Sequence, residues 1–316
     1  MEHVIETRRL TKYYGSKCVV NNLDLRIPRG SVYGFLGRNG TGKSTTIKML
    51  LGLVHPTRGS AFVLGENAAE LSPDARGRIA YLAEGHPIYR WMTIRDAVRF
   101  TRAFHRQWNQ PLLDQILDHF ELSPKQKIRR LSHGQRAQVS LALAVAPDPE
   151  VLILDDPTIG LDTVVRRDFL ESLIQIIQRQ GRTILFSSHI LSDVERVADR
   201  IGILVDGVLR VDCPTEKFKQ RVRKIVLGFA GEPPEFPACP GLVSSRTVGT
   251  DLELIVVDYG DEHQRLAESL EPSSIEVVDL NLEEAFIEYT RGPRRRLPIF
   301  AGEESDDQSI GNQGAA

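Results

Sequence analysis

Short apolar blocks closed by polar or turn-forming residues recur along the chain and predict most of its elements. Between residues 4 and 36, "VIETRRL" and "VVNNLDLRI" alternate apolar and polar positions, and Pro28-Arg29-Gly30 marks a turn before "SVYGFLG". That pattern predicts a small mixed sheet feeding a central strand. From Gly42, "GKSTTIKMLLGLV" changes to helical spacing, so strand, glycine-rich loop and helix follow one another. Residues 93–146 predict mainly helices, in "TIRDAVRFTRAF", "PLLDQILDHFEL" and "GQRAQVSLALAVA". "VLILDD" and "TILFSSH" read as short strands, with an amphipathic helix from about Val164 to Gln180 between them. Alternating strands and helices imply an α/β unit whose parallel sheet is covered on both faces. "GILVDGVLRVD" predicts a hairpin turning at Asp206-Gly207.

The pattern changes after about residue 220, where "GEPPEFPACPG" reads as a proline-rich spacer. Short strands ("KIVLGFA", "LVSSRTV", "LELIVVD", "SIEVVDL") and two helical pieces ("EHQRLAESL", "NLEEAFIEYT") predict a small α+β C-terminal domain over 223–291, after a main domain over 1–220. No catalytic cluster stands out in the smaller unit. The last segment, 292–316, is basic and then acidic and polar, and is expected to be disordered. Its run "RGPRRR" could lie on anionic headgroups, but a solvated tail is the plainer reading.

A chain of 316 residues suits two domains rather than one core. With 26% charged residues and a net charge of -2, nothing points to bulk electrostatic binding of nucleic acid. Cys18, Cys213 and Cys239 are scattered without paired spacing, so neither a disulfide framework nor a zinc site is suggested, and a reducing compartment fits. The N-terminus lacks an apolar leader, and no apolar run approaches the roughly 20 residues of a membrane helix.

The clearest chemistry is "GRNGTGKS", Gly37 to Ser44, which matches G-x-x-x-x-G-K-[ST] between a predicted strand and a predicted helix. Glycines at 37, 40 and 42 let successive backbone N–H groups turn inward, and the following helix adds its positive end, so the loop forms a cup for phosphates. Lys43 would reach the β and γ phosphates, and Ser44 would offer its hydroxyl to Mg²⁺. The bland alternative is a glycine-rich turn with a chance Lys-Ser. No N-K-x-D guanine-reading element is present.

"LSHGQ", Leu131 to Gln135, opens a helix ahead of the aspartate pair Asp155-Asp156, and its Ser132 and Gly134 lie at a helix N-terminus, where an anion is favoured. The ordered series "LTKYYG", "GRNGTGKS", "LSHGQ", "VLILDDPTIGLD" and "SSH" over residues 4 to 218 resembles the ATP-binding cassette (ABC) proteins. The resemblance implies a P-loop NTPase fold of the ABC type with a helical subdomain, followed by the small α+β domain. It implies nucleotide contacts from Gly37, Arg38, Asn39, Gly40, Thr41, Gly42, Lys43, Ser44 and Thr45, with Tyr14 stacking on adenine and Val19 beside it. Tyr13 is then expected in the core. Ser132, Gly134 and Gln135 would cap the γ-phosphate bound by an opposite subunit, so that two chains clasp two ATP molecules, and Asp162 in the D-loop "IGLD" would cross that interface. A plain serine N-cap is the alternative for Ser132.

By the same resemblance, Asp155 would hold Mg²⁺ through its hydration shell, and His189 would act as the switch histidine at the γ-phosphate. Four positions depart from the family pattern. Asp156 replaces the glutamate that polarises attacking water. Its carboxylate retreats by about 1.5 Å unless the backbone shifts, and a misplacement of about 1 Å can lower a rate on the order of 100-fold. Slow hydrolysis and an ordinary rate with a shifted loop both stay open. Glu84 replaces a glutamine that ligates Mg²⁺ and senses the membrane partner, and it either ligates or merely lines the loop. His133 replaces a glycine and reads as a tolerated, partly exposed residue, and Ile159 replaces a small residue at the start of the D-loop.

The expected function is an ATP-hydrolysing subunit, peripheral on the cytoplasmic face of the membrane, that pairs with a second ABC ATPase subunit and drives a separate transmembrane permease. The region from about Ile88 to Leu131 would receive the permease, with Tyr89 and Trp91 as candidate contacts. The ending "NLEEAFIEYT" is similar to that of ABC-2-type exporter subunits, which favours export. The alternatives are a slow or regulatory ATP clamp, and a soluble ABC ATPase without a transport role.

Overall fold

The computed structural model describes residues 3–178 and 181–291. β1 (His3–Tyr14) and β2 (Lys17–Pro28) are joined by the two-residue turn Gly15-Ser16 and pair antiparallel. β3 (Val32–Leu36) leaves that sheet and runs buried through the middle of the molecule into α1 (Lys43–Leu50). β4 (Arg58–Val63) returns to β1, and β5 (Glu66–Asn67) completes a four-stranded antiparallel sheet in the order β2-β1-β4-β5. The sheet is therefore not mixed, as the first residues alone suggested. A two-residue turn can only bring β2 back antiparallel, and β3 belongs to a different sheet.

After α2 (Pro73–Gly77) and β6 (Ile79–Leu82) comes a helical region of α3 (Ile94–Arg102), α4 (Gln110–His119) and α5 (His133–Val145). The chain then alternates through β7 (Val151–Asp155), α6 (Thr163–Gln178), β8 (Thr183–Ser188), α7 (Leu191–Val197), β9 (Arg200–Val205) and β10 (Val208–Pro214). The second sheet has the order β10-β9-β3-β8-β7-β6 and is parallel except for β10, the returning arm of the hairpin at Asp206-Gly207. Its strands send alternate residues to opposite sides. Val151 and Ile153 join the core under the antiparallel sheet and α1, while Leu152 and Leu154 join the core of the helical side. Burial on both faces explains why "VLIL" is apolar throughout. Each such side chain contributes roughly 1.5–3 kcal/mol.

α8 (Thr215–Arg221) passes without a linker into β11 (Val222–Gly228), and β12 (Leu242–Val248), β13 (Asp251–Val257), α9 (Asp261–Ser269), β14 (Ser274–Asp279) and α10 (Leu282–Arg291) follow. The third sheet, β12-β13-β11-β14, is antiparallel. The proline-rich segment lies between β11 and β12, inside this sheet rather than ahead of it, and buried Phe236 anchors it to the small core that Leu252, Leu254, Val256 and Ala267 share. On the opposite face, Ile255 and Val257 belong with Ala285, Phe286 and Tyr289 of α10 to the larger core. The Tyr289 ring meets Phe218 of α8 edge-on at 5.8 Å. Among the described residues no helix is long and apolar enough to cross a membrane. Segment 292–316, expected to be disordered, lies outside the described residues.

Candidate functional site

β3, β8 and β7 are adjacent and parallel, so the loops at their C-terminal ends meet on one edge, where open α/β sheets gather their ligands. The loop after β3 holds Gly37 to Gly42, with Arg38, Asn39 and Gly40 exposed. Thr41 folds back on the Arg38 carbonyl through its N–H at 3.3 Å and its hydroxyl at 2.8 Å. Gly42 has φ 106°, and a Cβ there would lie 2.6 Å from the Val19 carbonyl oxygen, so the chain can enter α1 here only as glycine. Val19 of the expected base site thereby packs under the phosphate loop.

Lys43 is buried, and its Nζ donates to the Gly37 carbonyl at 2.7 Å. Burial lowers its pKa, while the carboxylates of Asp156, Asp155 and Glu84 act in the opposite direction and keep a cation favourable there. Ser44 Oγ donates to Asp155 Oδ1 at 3.2 Å, and Ser187 Oγ donates to the same oxygen at 2.7 Å. Thr45 follows in the first turn of α1, partly buried. Glu84 is exposed on the loop after β6, near enough to act on Lys43.

Asp156 is only 6% exposed and has φ 44°, a left-handed conformation that aspartate tolerates better than most residues. Its N–H donates to Ser187 Oγ at 3.0 Å. Its Oδ1 accepts from the His189 N–H at 3.1 Å and lies 2.8 Å from His189 Nδ1. Because a carboxylate only accepts, Nδ1 carries a proton and the imidazole is fixed in orientation. Asp155, Asp156, Lys43 and His189 thus form one cluster. A cavity of about 240 Å³ opens beside it, lined by Gly37, Arg38, Asn39, Ser188 and His189 and, from α10, by Phe286. Phe286 could not be found from sequence, since nothing in "NLEEAF" says what the helix packs against.

A second group gathers at the start of α5. Ser132 Oγ accepts from the Gln135 N–H at 3.1 Å, and Gln135 Oε1 accepts from the Ser132 N–H at 3.0 Å, a complete capping box. Gly134 is buried so close to α6 that a Cβ would meet Val165 Cγ1 at 2.5 Å. Asp162 Oδ1 accepts from the N–H groups of Val164 and Val165 and caps α6. Thr158 Oγ1 donates to Asp193 of α7 at 2.8 Å, and burial raises the pKa of that carboxyl. His133 turns toward the D-loop, with Nε2 3.0 Å from the Ile159 carbonyl oxygen.

Tyr14 is 50% exposed; Lys12 Nζ lies over one face of its ring, 5.1 Å from the ring centre, leaving the other face for stacking. Tyr13 is also exposed rather than in the core, because β1 ends as a narrow ribbon with Tyr13 opposite Cys18. Tyr89 and Trp91 are exposed, and the structure adds Phe100 of α3 and Phe104 of the turn that follows it. Ring centres are 6.0 Å apart for Tyr89 and Trp91, 5.7 Å for Tyr89 and Phe100, and 5.1 Å for Phe100 and Phe104. The sequence pattern of "TIRDAVRFTRAF" predicts a helix here but not which way these two rings turn.

Residues 20–159 match the ABC transporter family profile. The chain is 35% identical over 226 residues to a bacitracin transport ATP-binding protein of Bacillus licheniformis, covering 71% of this chain and 74% of that one. It is 31% identical to a Nod factor export ATP-binding protein of Cupriavidus metallidurans, covering 96% and 91%. Among solved structures, the ATP-binding subunit of an ABC transporter superposes with a TM-score of 0.63 at 27% identity, covering 69% of this chain and 92% of that one. With the cassette fold, the phosphate loop and its neighbouring carboxylates in place, the chain belongs to the ATP-binding subunits of ABC transporters.

Proposed function

We propose that the chain hydrolyses ATP clasped between the Gly37–Thr45 loop of one copy and the Ser132 helix end of a second ATPase subunit, and so drives a transmembrane permease at the cytoplasmic face of the membrane. The observation that carries this reading is the Asp156–His189 pair, held 2.8 Å apart at the edge where Lys43 emerges. Asp156 acts on the attacking water, with His189 fixing the carboxylate's position. Lys43 and the α1 N-terminus take the phosphates, and Tyr14 stacks on the base. The Ser44 hydroxyl lies 3.2 Å from Asp155 Oδ1, so a hydroxyl and a carboxylate oxygen suited to a hard cation stand side by side. When present, Mg²⁺ held by Ser44 and Asp155 would supply neutralisation of charge on the β and γ phosphates.

The exposed Tyr89, Trp91, Phe100 and Phe104 form the surface for the permease, an aromatic patch of the kind interfaces use. Residues 1–220 serve as the motor and 223–291 as an accessory unit. Export fits the names of the relatives. The slow-clamp reading is favoured by one observation, the short Asp156 side chain tied to His189 through two hydrogen bonds. Phosphate release by the purified chain tests the main reading: Asp156→Asn and His189→Ala should each lower kcat by about 100-fold or more. Unchanged rates would remove these residues from the chemistry. Asp156→Glu should give no large gain, whereas a rise of orders of magnitude would establish the slow clamp.

A further inference from the structure

We infer that His133 is a positioning residue that ties the start of α5 to the D-loop of the same chain, so that the two segments meet the opposing subunit as one preformed part. This rests on the proposed ATP clasp for its consequence, though not for its geometry. His133 Nδ1 lies 3.3 Å from Nη2 of Arg136, and Nε2 lies 3.0 Å from the carbonyl oxygen of Ile159. A guanidinium can only donate and a carbonyl can only accept, so Nδ1 accepts from Arg136 and the proton on Nε2 is donated to Ile159. One neutral tautomer satisfies both partners at once.

The surroundings are shaped for this contact. A Cβ on Gly160, which has φ 71°, would lie 3.2 Å from His133 Nε2, so a larger residue there would push the ring away. The His86 ring, from the loop that also carries Glu84, lies 5.7 Å from the His133 ring, tilted against it, and is itself buried. Gly134 against Val165 locks the next residue of α5 to the first turn of α6. The D-loop is otherwise two overlapping turns, Ile159 N–H to the Asp156 carbonyl and Leu161 N–H to the Thr158 carbonyl, both at 3.2 Å. Such long, local bonds hold a loop weakly; Thr158 Oγ1 to Asp193 anchors its start on α7, and the His133 contact adds a tie at Ile159 itself. His133 and Ile159, both departures from the family pattern, therefore meet each other.

A loop ordered in advance loses less freedom when the subunits close, so releasing it should weaken pairing while leaving nucleotide binding to the single chain alone. The test compares the full-length wild type with His133→Gly and His133→Gln, since glutamine can still donate to Ile159 and accept from Arg136. Amide exchange of Ile159 and Leu161 should rise about tenfold in the glycine variant and stay near wild type in the glutamine variant. Pairing in Mg-ATP, followed by sedimentation in an Asp156→Asn background, should weaken with the same order of variants, at unchanged ATP affinity of the isolated chain. Equal exchange in wild type and glycine variant, or a glutamine variant that behaves like glycine, would overturn the inference. If every chain including the parent stayed monomeric while exchange still rose, the clasp and the pairing role of His133 would fall together, and the intramolecular tie alone would stand.

Discussion

His86 shows how one buried side chain ties stability to pH. Neither ring nitrogen meets a partner in good hydrogen-bond geometry among the described residues, and only the nearby Pro157 backbone favours the ring's charged form. Burial, with His133 and Arg136 adding to it, holds its pKa down to about 4, against 6.5 for a free histidine. As pH falls, the unfolded chain takes up this proton first. The stability from keeping His86 neutral is thus complete above about pH 6.5 and is lost toward about pH 4, by at most about 3 kcal/mol. Thermal unfolding across that range should show the decline. His86→Asn, which keeps a residue tolerant of φ 51°, should flatten it, and identical pH profiles would contradict the assignment. Much at this scale was legible in the sequence. Lys43, Ser44 and Asp155 sit in short contiguous motifs whose chemistry needs no tertiary knowledge. The tie from His133 to Ile159 and the bond from Asp156 to His189 were not legible, because they join residues 26 and 33 positions apart on different elements.

At the scale of elements, alternating strands and helices located the parallel sheet, and Ser132 with Gln135 announced the start of α5 by its capping box. The first sheet was misread because the apolar alternation of β1 and β2 gives strands without pairing partners, and the partner β4 lies beyond α1. α3 posed a different difficulty. Its amphipathic pattern fits either packing or display, and only the fold turns Phe100, and Phe104 in the turn after it, outward, 45% and 72% exposed. Since Trp91 and Phe104 contribute little to the core, replacing both by serine should shift stability by no more than about 1 kcal/mol. The same variant should lose association with the permease in solubilised membranes. Retained association would move the docking surface elsewhere.

At the scale of the whole molecule, the C-terminal unit is fastened to the cassette from behind rather than strung on a linker. α10 inserts Ala285, Phe286 and Tyr289 into the larger core, and Phe286 reaches the cavity beside His189. Tyr289→Ala should lower the stability of the entire chain by about 3 kcal/mol. Calorimetry should show this as a downward shift of the main transition, whereas loss confined to a separate small transition would mean two independent units. The central claim concerns a pair of ATPase subunits and the ATP clasped at each of their two shared sites. Sedimentation of the Asp156→Asn chain saturated with Mg-ATP, alone and beside its membrane partner, tests it most directly. The account predicts an ATP-dependent pair that dissolves with ADP or when Ser132 is also replaced by arginine, and a monomer under every one of these conditions would contradict it.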